Sequence, residues 1–435
     1  MDILRTLFWL VGLVALALAA GFGAASIREG ERRATCVSLT TCFLILALWL
    51  GGDAVLTYPR TLHLMAVAAA GLLAILFFGP WGRCRPIEIG EITERVDERD
   101  VIFAREEYAP GTERHEVYYA RRPEKAAVDE MLRSLPPILE PGGRYYEPEA
   151  AERTQSLFTE IEAMLTRVDG PVAPEEMPCD TEAIKSLALH LGADEVGIAS
   201  LHPMFVYSHV GRGPETWGAS IENRHRFAIV MAFEMDLTCV AQAPHLPITE
   251  ESATQYRRGA RVSIALAEKI RARGYPARAH IAGSNYQVML PPLGHAAGLG
   301  ELGRMGYLIS PRFGARMRLG AVTTDLRLIP DRPIAFGVQD FCRRCLKCAA
   351  NCPSGAIPRE EKTLVRGVRK WPLDIEQCLR YWRTVGTDCG LCMRVCPYSH
   401  PSTWTHNLIR AGLRRSAFAR AVSIWGDDLL YGRRV

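Results

Sequence analysis

The chain lacks a charge excess of either sign. Its 435 residues carry 52 Lys and Arg against 48 Asp and Glu, which leaves a net charge of +4. Nucleic-acid-binding proteins usually concentrate a basic excess, so this balance argues against a nucleic-acid partner. The length exceeds that of one compact core and predicts two or three domains. The 48% hydrophobic and 23% charged content excludes a disordered chain.

Charged residues are scarce near the N-terminus. Residues 1–88 carry only 12 of the 100 charged side chains. Three stretches carry none: 22 residues between Arg5 and Arg28, 19 between Arg33 and Asp53, and 22 between Arg60 and Arg83. Each can cross a hydrocarbon core of about 30 Å as a helix. We therefore expect residues 1–88 to be an anchor of three transmembrane helices embedded in a lipid bilayer.

The arginines at the ends of these stretches predict the orientation. The loop after the first stretch and the exit of the third carry five arginines, whereas the loop between the second and third carries only Arg60. The positive-inside rule then places the N-terminus outside and the globular part in the cytoplasm. A twin-arginine export signal is missing, because Arg32 and Arg33 follow the first span. These features predict a multi-pass protein of the inner (cytoplasmic) membrane.

The rest of the chain alternates helix and strand patterns. Residues 88–148 alternate charged and apolar residues and are interpreted as a solvated linker with short strands. A helix that includes Ile184 and Leu191 leads to a strand at Val196–Leu201, and residues 226–236 form a second buried strand. A further helix is stopped by Gly274 and Pro276 before another strand. Strands that alternate with helices predict an α/β fold.

Cysteine is concentrated in one short region. Eight of the 13 cysteines lie within residues 342–396, in two runs that each end in Cys-Pro. The runs are Cys342-x2-Cys345-x2-Cys348-x3-Cys352 and Cys378-x10-Cys389-x2-Cys392-x3-Cys396. Thiolates at this spacing wrap iron–sulfur clusters, and the last ligand of each run crosses to the other cluster. We predict two [4Fe–4S] clusters, the first held by Cys342, Cys345, Cys348 and Cys396 and the second by Cys352, Cys378, Cys389 and Cys392.

Two alternatives to iron–sulfur clusters exist. Cys-x2-Cys pairs also build zinc sites, and a disulfide framework would need an oxidising compartment that the predicted topology does not offer. The nearly repeated triple-Cys-then-Cys-Pro pattern favours the clusters. Only the ten-residue gap after Cys378 departs from the ordinary two-cluster ferredoxin. The other five cysteines are interpreted as small hydrophobic residues.

Three segments carry a resemblance to a known family. These are AAGLGELGRMGYLISPRFGARMRLGAVTTDL, IPDRPIAFGVQDFCRRCLKCAANCPSGAI and the terminal DDLLYGRR. Together, over roughly residues 180–435, the chain resembles the reductive dehalogenase catalytic subunits. The resemblance implies a nitroreductase-like, corrinoid-binding α/β domain joined to a two-[4Fe–4S] ferredoxin-like domain. The related epoxyqueuosine reductases are soluble and tend to have Gly-Leu-Gly-Trp-Ile-Gly-Lys where residues 298–304 differ here.

This resemblance suggests a division of the chain. Residues 1–88 are the anchor, and 89–175 are a linker with the N-terminal part of the catalytic body. Residues 176–335 bind corrinoid and substrate, 336–402 form the ferredoxin domain, and 403–435 are a C-terminal extension. The implied enzyme is an oxidoreductase that replaces a halogen of an organohalide by hydrogen, with a cob(I)alamin-type corrinoid. An epoxyqueuosine-type corrinoid reductase and an electron-transfer subunit without its own substrate are the alternatives.

The resemblance also suggests site residues. The family binds its corrinoid base-off, and no Asp-x-His-x-x-Gly motif is present here to supply a lower ligand. Backbone at Gly298, Gly300, Gly303 and Gly306 could approach this cofactor closely. In the family a Tyr beside a cation donates the proton. The candidates here are Tyr256, then Tyr207, as donor, Arg316 or Arg318 as cation, and Asn285 as an orienting amide. A quinol or a soluble ferredoxin or reductase would donate the electrons.

Overall fold

The computed structural model describes residues 3–55, 59–282 and 286–434. Its α-helices, in chain order, are α1 Ile3–Arg28, α2 Arg32–Val55, α3 Pro59–Phe78, α4 Ile102–Glu106, α5 Glu113–Arg121, α6 Pro123–Arg133, α7 Pro148–Ala163, α8 Thr181–Leu191, α9 Leu237–Val240, α10 Leu246–Arg271, α11 Leu290–Ala296, α12 Val338–Cys345, α13 Lys347–Ala350, α14 Ile375–Val385, α15 Leu391–Arg394, α16 Trp404–Arg415 and α17 Ala417–Tyr431. Its strands are β1 Glu195–Ser200, β2 Phe227–Glu234, β3 Ala277–His280, β4 Glu301–Leu302, β5 Leu308–Ile309, β6 Met317–Thr324, β7 Thr363–Val365 and β8 Val368–Lys370.

The chain folds into two compact units. One comprises Met1–Arg85, Phe336–Ala350 and His400–Val435, and the other comprises Pro86–Ala335 and Asn351–Ser399. In the first unit the N-terminal helices pack on one another and on the C-terminal helices α16 and α17. The N-terminal and C-terminal helices are therefore in contact although they are far apart in sequence.

The N-terminal helices have the apolar character that the sequence predicts. Among the described residues, the helices Ile3–Arg28 and Arg32–Gly51 are long and apolar enough to cross a membrane. The apolar part of α3, His63–Phe78, is shorter than these two. A third span and the orientation of the anchor thus stay predictions.

The second unit is built on a four-stranded sheet in the order β1-β2-β6-β3. All neighbouring strands are antiparallel, with Ile198 opposite Ile229 and Val230 opposite Ala321. The long helix α10 packs on this sheet and buries side chains such as Leu266 against it. The predicted mixed α/β character and the predicted strands around residues 196–201 and 226–236 are confirmed.

One prediction about this unit is wrong. Residues 88–148, interpreted as a linker with short strands, contain the helices α4, α5 and α6. Tyr108 and Tyr118 of this segment are fully buried, with ring centroids 5.0 Å apart, and Tyr108 also meets the ring of Trp217. The sequence pattern did not reveal these helices, because charged residues dominate the segment. The apolar residues that anchor the helices are few, and their packing partners are distant in sequence.

Candidate functional site

The second unit encloses a cavity of about 580 Å³. This lies within the usual range of ligand pockets, about 300–1,000 Å³. Most of its wall is apolar or aromatic, and no histidine occurs among the described residues that line it. Its polar and sulfur-bearing side chains, which can carry chemistry, are Tyr207, Arg212, Thr249, Ser252, Tyr256, Tyr286, Tyr307, Arg318, Cys352, Ser354, Cys378, Tyr381, Trp382, Asp388, Cys389 and Cys392.

Four cysteines form one part of the cavity wall: Cys352, Cys378, Cys389 and Cys392. Burial raises the pKa of Cys378 to about 12, and the charge of the Cys352 thiolate adds to the rise. Burial likewise raises the pKa of Cys392, followed by the charges of Cys389, Cys378, Cys352 and Cys396. Cys352, Cys378, Cys389 and Cys392 all line the same cavity. The structure therefore brings together the four residues predicted to bind the second cluster.

Most of the ten-residue gap after Cys378 is helical, because α14 continues to Val385. Asp374 caps α14 by accepting a hydrogen bond from the Gln377 backbone N–H at 3.0 Å, which places Cys378 in the first turn. The helix ends at Gly386 in the left-handed conformation, and the chain returns to the cavity at Cys389. The next residue, Gly390, has φ +67°, and a Cβ there would lie 2.5 Å from Ile248 Cδ1. The helix and the tight turn together explain how Cys378 and Cys389 both reach the cavity wall although ten residues separate them.

The cysteines predicted for the first cluster fall in both units. Cys342 and Cys345 are buried and Cys348 is half-buried, all in the first unit, whereas Cys396 belongs to the second. Their role as ligands stays a prediction.

Tyr256 and Arg318 meet at the cavity. The Cζ atom of Arg318 lies 5.2 Å from the centroid of the Tyr256 ring, which is a cation–π distance. Tyr256 lies within α10, ten residues after the start of this helix at Leu246. Arg318 comes from β6, opposite Phe233 of β2. A helix and a central strand thus hold the predicted proton donor beside one of its two predicted cations.

Asp388 compensates the charge of Arg318. Its Oδ2 atom lies 3.2 Å from Arg318 Nη2 and accepts a hydrogen bond from Ser252 Oγ at 2.6 Å. Thr249 Oγ1 donates to the other carboxylate oxygen at 3.0 Å. Burial alone would lower the pKa of Arg318, but the charges of Tyr256 and Asp388 outweigh it and raise this pKa. The guanidinium therefore stays charged inside an apolar cavity.

Arg316 has a different environment. It is buried and donates hydrogen bonds to the backbone oxygens of Ser399 and Met235, each at 2.6 Å, and to Glu234 at 3.1 Å. It does not line the cavity. Of the two arginines predicted as the cation, Arg318 therefore lies at the cavity and Arg316 does not.

Other cavity residues come from separate parts of the chain. Burial raises the pKa of Tyr207, the second predicted donor, to about 12. Sequence reasoning missed Tyr286, Tyr307 and Arg212, and no local pattern marks them. Arg212 is paired with the buried carboxylate of Glu98 at 3.2 Å. Asn285 lies outside the described residues.

The four glycines predicted to approach a cofactor have packing roles of their own. None of them lines the cavity, although the neighbouring residues Met305 and Tyr307 do. Gly298 has φ +75°, and a Cβ on Gly300 would lie 2.2 Å from the Ile309 backbone oxygen. A Cβ on Gly303 would lie 2.6 Å from Ile309 Cδ1, and Gly306 has φ +82°. Cofactor contact at these positions stays a prediction.

Comparisons with known proteins agree with this architecture. Residues 341–400 match the 4Fe-4S dicluster domain family. The tetrachloroethene reductive dehalogenase of Sulfurospirillum multivorans is 30% identical over 311 residues, which are 62% of this chain and 62% of that protein. The epoxyqueuosine reductase of Lactococcus garvieae is 30% identical over 118 residues, 24% of this chain and 30% of that protein.

A solved structure extends the likeness to the fold. A reductive dehalogenase whose structure suggests a mechanism for B12-dependent dehalogenation superimposes with a TM-score of 0.66 at 29% identity. The match covers 80% of this chain and 48% of that one, so the chain spans about half the length of this relative. The chain is therefore similar to reductive dehalogenases in sequence and fold, and its two cysteine runs lie within the matched dicluster domain.

Proposed function

We propose that the chain is a membrane-anchored reductive dehalogenase. Its reaction consumes two electrons and one proton, breaks a carbon–halogen bond, forms a carbon–hydrogen bond and releases a halide ion. The observation that carries this proposal is the cavity itself, in which the Tyr256–Arg318 pair and four cysteines face the same space. Two relatives of this chain are named as reductive dehalogenases of tetrachloroethene and trichloroethene, which supports an organohalide as substrate.

The cavity suits a corrinoid without a protein-derived lower ligand. Its wall is largely apolar, and the described lining residues include no histidine that could bind cobalt from below. A corrinoid bound there, base-off, would supply the metal centre at which the carbon–halogen bond is reduced. The lining residues would position the cofactor and substrate and exclude water.

Cys352, Cys378, Cys389 and Cys392 would hold one [4Fe–4S] cluster at this wall. Four converging thiolates are the usual ligand set of such a cluster. The other four cysteines of the two runs would hold the second cluster. Together they would supply electrons to the cavity.

The proton would come from the Tyr256 hydroxyl. A tyrosine can act as a general acid when a nearby cation stabilises the phenolate that remains. Arg318 is placed for this role, and Asp388, Ser252 and Thr249 hold it in position. Tyr207 is the alternative donor, and Asn285 would orient the substrate.

The N-terminal helices would anchor the enzyme in the cytoplasmic membrane. We propose three spans, with the body facing the cytoplasm, and a quinol or a soluble ferredoxin or reductase as electron donor. Protease treatment of inside-out vesicles tests this: it should degrade the body, whereas intact right-side-out vesicles should protect it. Protection in inside-out vesicles would reverse the topology.

Cofactor content and halide release test the activity. Purified full-length protein, reconstituted with iron, sulfide and a corrinoid, should hold about eight iron and one cobalt per chain. With a strong chemical reductant it should release chloride from a chlorinated ethene. Protein that holds iron but no cobalt and releases no halide would instead be an electron-transfer subunit. Cobalt binding with reduction of an epoxyqueuosine-modified tRNA stem loop would identify the other corrinoid enzyme.

A further inference from the structure

We propose that the first unit contains a divalent metal site made by Glu29, His400 and His406. One ligand atom from each of these residues lies within 4.8 Å of the others. The set combines one carboxylate with two imidazoles, ligands that suit Zn²⁺ and similar ions. None of the three residues lines the cavity or is a cysteine, and nothing in the proposed reaction requires the site.

The fold assembles this site from two separate segments. Glu29 directly follows α1, His400 precedes α16, and His406 lies in the first turn of α16. Thr403 caps that helix and holds His406 by a contact of 2.7 Å to Nδ1. Glu29 precedes His400 by 371 positions in sequence, so its meeting with the two histidines depends on the packing of α1 against α16.

One oxygen of the Glu29 carboxylate lacks a hydrogen-bond partner, although the group as a whole accepts a hydrogen bond from the Tyr431 hydroxyl. The Glu29 side chain is only 7% exposed, and Oε1 is buried without a hydrogen-bond partner. The nearest imidazole nitrogen, His406 Nδ1, is 3.8 Å away, beyond hydrogen-bond distance. An unsatisfied buried carboxylate oxygen is costly. A cation between these groups would satisfy it.

His400 is held as a metal ligand usually is. Its Nε2 donates to Asp427 Oδ1 at 2.7 Å, and Lys347 pairs with the same carboxylate. A carboxylate that binds one imidazole nitrogen fixes the tautomer and leaves the other nitrogen with a lone pair for a metal. His406 Nε2 lies 3.0 Å from Tyr431 Oη. Tyr431 or a water could complete a four-ligand shell.

A bound ion would join the end of α1 to the C-terminal helices. Asp427 and Tyr431 both belong to α17, and His406 belongs to α16. The ion would thus join an apolar N-terminal helix to the part of the chain that carries the C-terminus. Its role would be structural, because every ligand position is occupied by a buried or half-buried group.

Zinc binding by the full-length, cluster-loaded protein tests the proposal, since the cysteines are then occupied by iron. After incubation with Zn²⁺ and gel filtration, elemental analysis should find about one zinc per chain. Glu29→Gln and His406→Gln should lose it and keep the wild-type iron content. His190→Gln, at an exposed position on α8, is the control and should keep the zinc. Equal zinc in all four proteins would overturn the site.

Two further measurements decide the case if a ligand variant fails to fold. Extended X-ray absorption fine structure at the zinc edge of the wild-type protein should show nitrogen and oxygen ligands at about 2.0–2.2 Å and no sulfur. Asp427→Asn removes no ligand and should weaken binding by about 10–100-fold, the usual effect of losing such a support. A sulfur-containing shell, or a wild-type protein that holds no zinc, would leave Glu29, His400 and His406 as a hydrogen-bonded cluster only and overturn the proposal.

Discussion

Two regions of the molecule each bring together side chains of the kinds that bind metals, and the donor atoms of the two regions differ. The cavity of the second unit is lined by four cysteines, several tyrosines and two arginines, Arg212 and Arg318, each paired with a carboxylate. The Glu29 region of the first unit presents one carboxylate and two imidazoles at close range. Soft thiolates select iron–sulfur clusters, whereas nitrogen and oxygen ligands select single divalent ions. The comparison teaches that the donor atoms, rather than burial alone, indicate what each region can bind.

The two regions also differ in what their polar groups face. In the cavity, Tyr256, Arg318 and Asp388 line an open space, and Asp388 balances the charge of Arg318. Around Glu29, the ligand atoms of three side chains lie within 4.8 Å of one another, and Asp427 supports His400 by a hydrogen bond. An open space allows a substrate to enter, whereas groups at this separation leave room only for an ion. The following changes test this contrast, from the largest expected effect to the smallest.

Cys378→Ser should break the sulfur set of the cavity. We expect the iron content to fall from about eight to about four per chain, because a [4Fe–4S] cluster needs four thiolates, and dehalogenation to stop. Cys179→Ser, at a half-buried position far from the two runs, is the control and should keep all the iron. Elemental analysis and the electron paramagnetic resonance spectrum of the reduced protein give the answer. Unchanged iron would remove Cys378 from the ligand set.

Tyr256→Phe should abolish proton donation but leave the cofactors in place. Loss of a general acid slows a reaction by about 10²–10⁴-fold, whereas iron and cobalt should stay at wild-type levels. Tyr207 lines the same cavity, so Tyr207→Phe serves as the matched control. We expect this variant to lose little activity. The initial rate of halide release measures both. If the two results were exchanged, Tyr207 would be the donor, and full activity in both would rule out a tyrosine donor.

Arg318→Gln and Arg316→Gln should separate chemistry from stability. Removing the cavity cation should slow halide release by about 10²–10³-fold, as for loss of one transition-state charge partner, with little change in the melting temperature. Arg316→Gln should instead lower the melting temperature, because two backbone oxygens would lose their donor at about 1–3 kcal/mol each. Rate and thermal unfolding are measured on the same preparations. A large rate loss only in the Arg316 variant would reverse the assignment.

Asp388→Asn should have the smallest effect of the four. The amide keeps the shape but loses the charge that holds Arg318, and a hydrogen bond to a charged group is worth about 1.5–3 kcal/mol. We expect halide release about tenfold slower or somewhat more, with iron unchanged. Thr249→Val removes one hydrogen bond to the same carboxylate and should cost less than Asp388→Asn. An Asp388→Asn enzyme with the wild-type rate would show that Arg318 needs no counter-charge.

Several features followed from local patterns in the sequence. The helix at 181–191 and the strands at 195–200 and 227–234 were predicted because their side-chain periods are local. The dicluster region was predicted from cysteine spacing, and the resemblance to reductive dehalogenases was predicted from three short segments. The helices within 88–148 were not predicted, since their few buried tyrosines acquire meaning only beside partners such as Trp217.

By itself, the sequence determined the apolar N-terminal helices, the mixed α/β character and the cysteine runs, because each depends on neighbouring residues and a few backbone angles. Only the tertiary structure showed that Arg318 lines the cavity whereas Arg316 donates to backbone oxygens of Ser399 and Met235, because the two arginines lie two residues apart in the same segment and local pattern does not separate them. It also decided that Asp388 supports Arg318 and that Glu29 meets His400 and His406. Such pairs join elements far apart in the chain, and only the burial of apolar faces against one another brings them together.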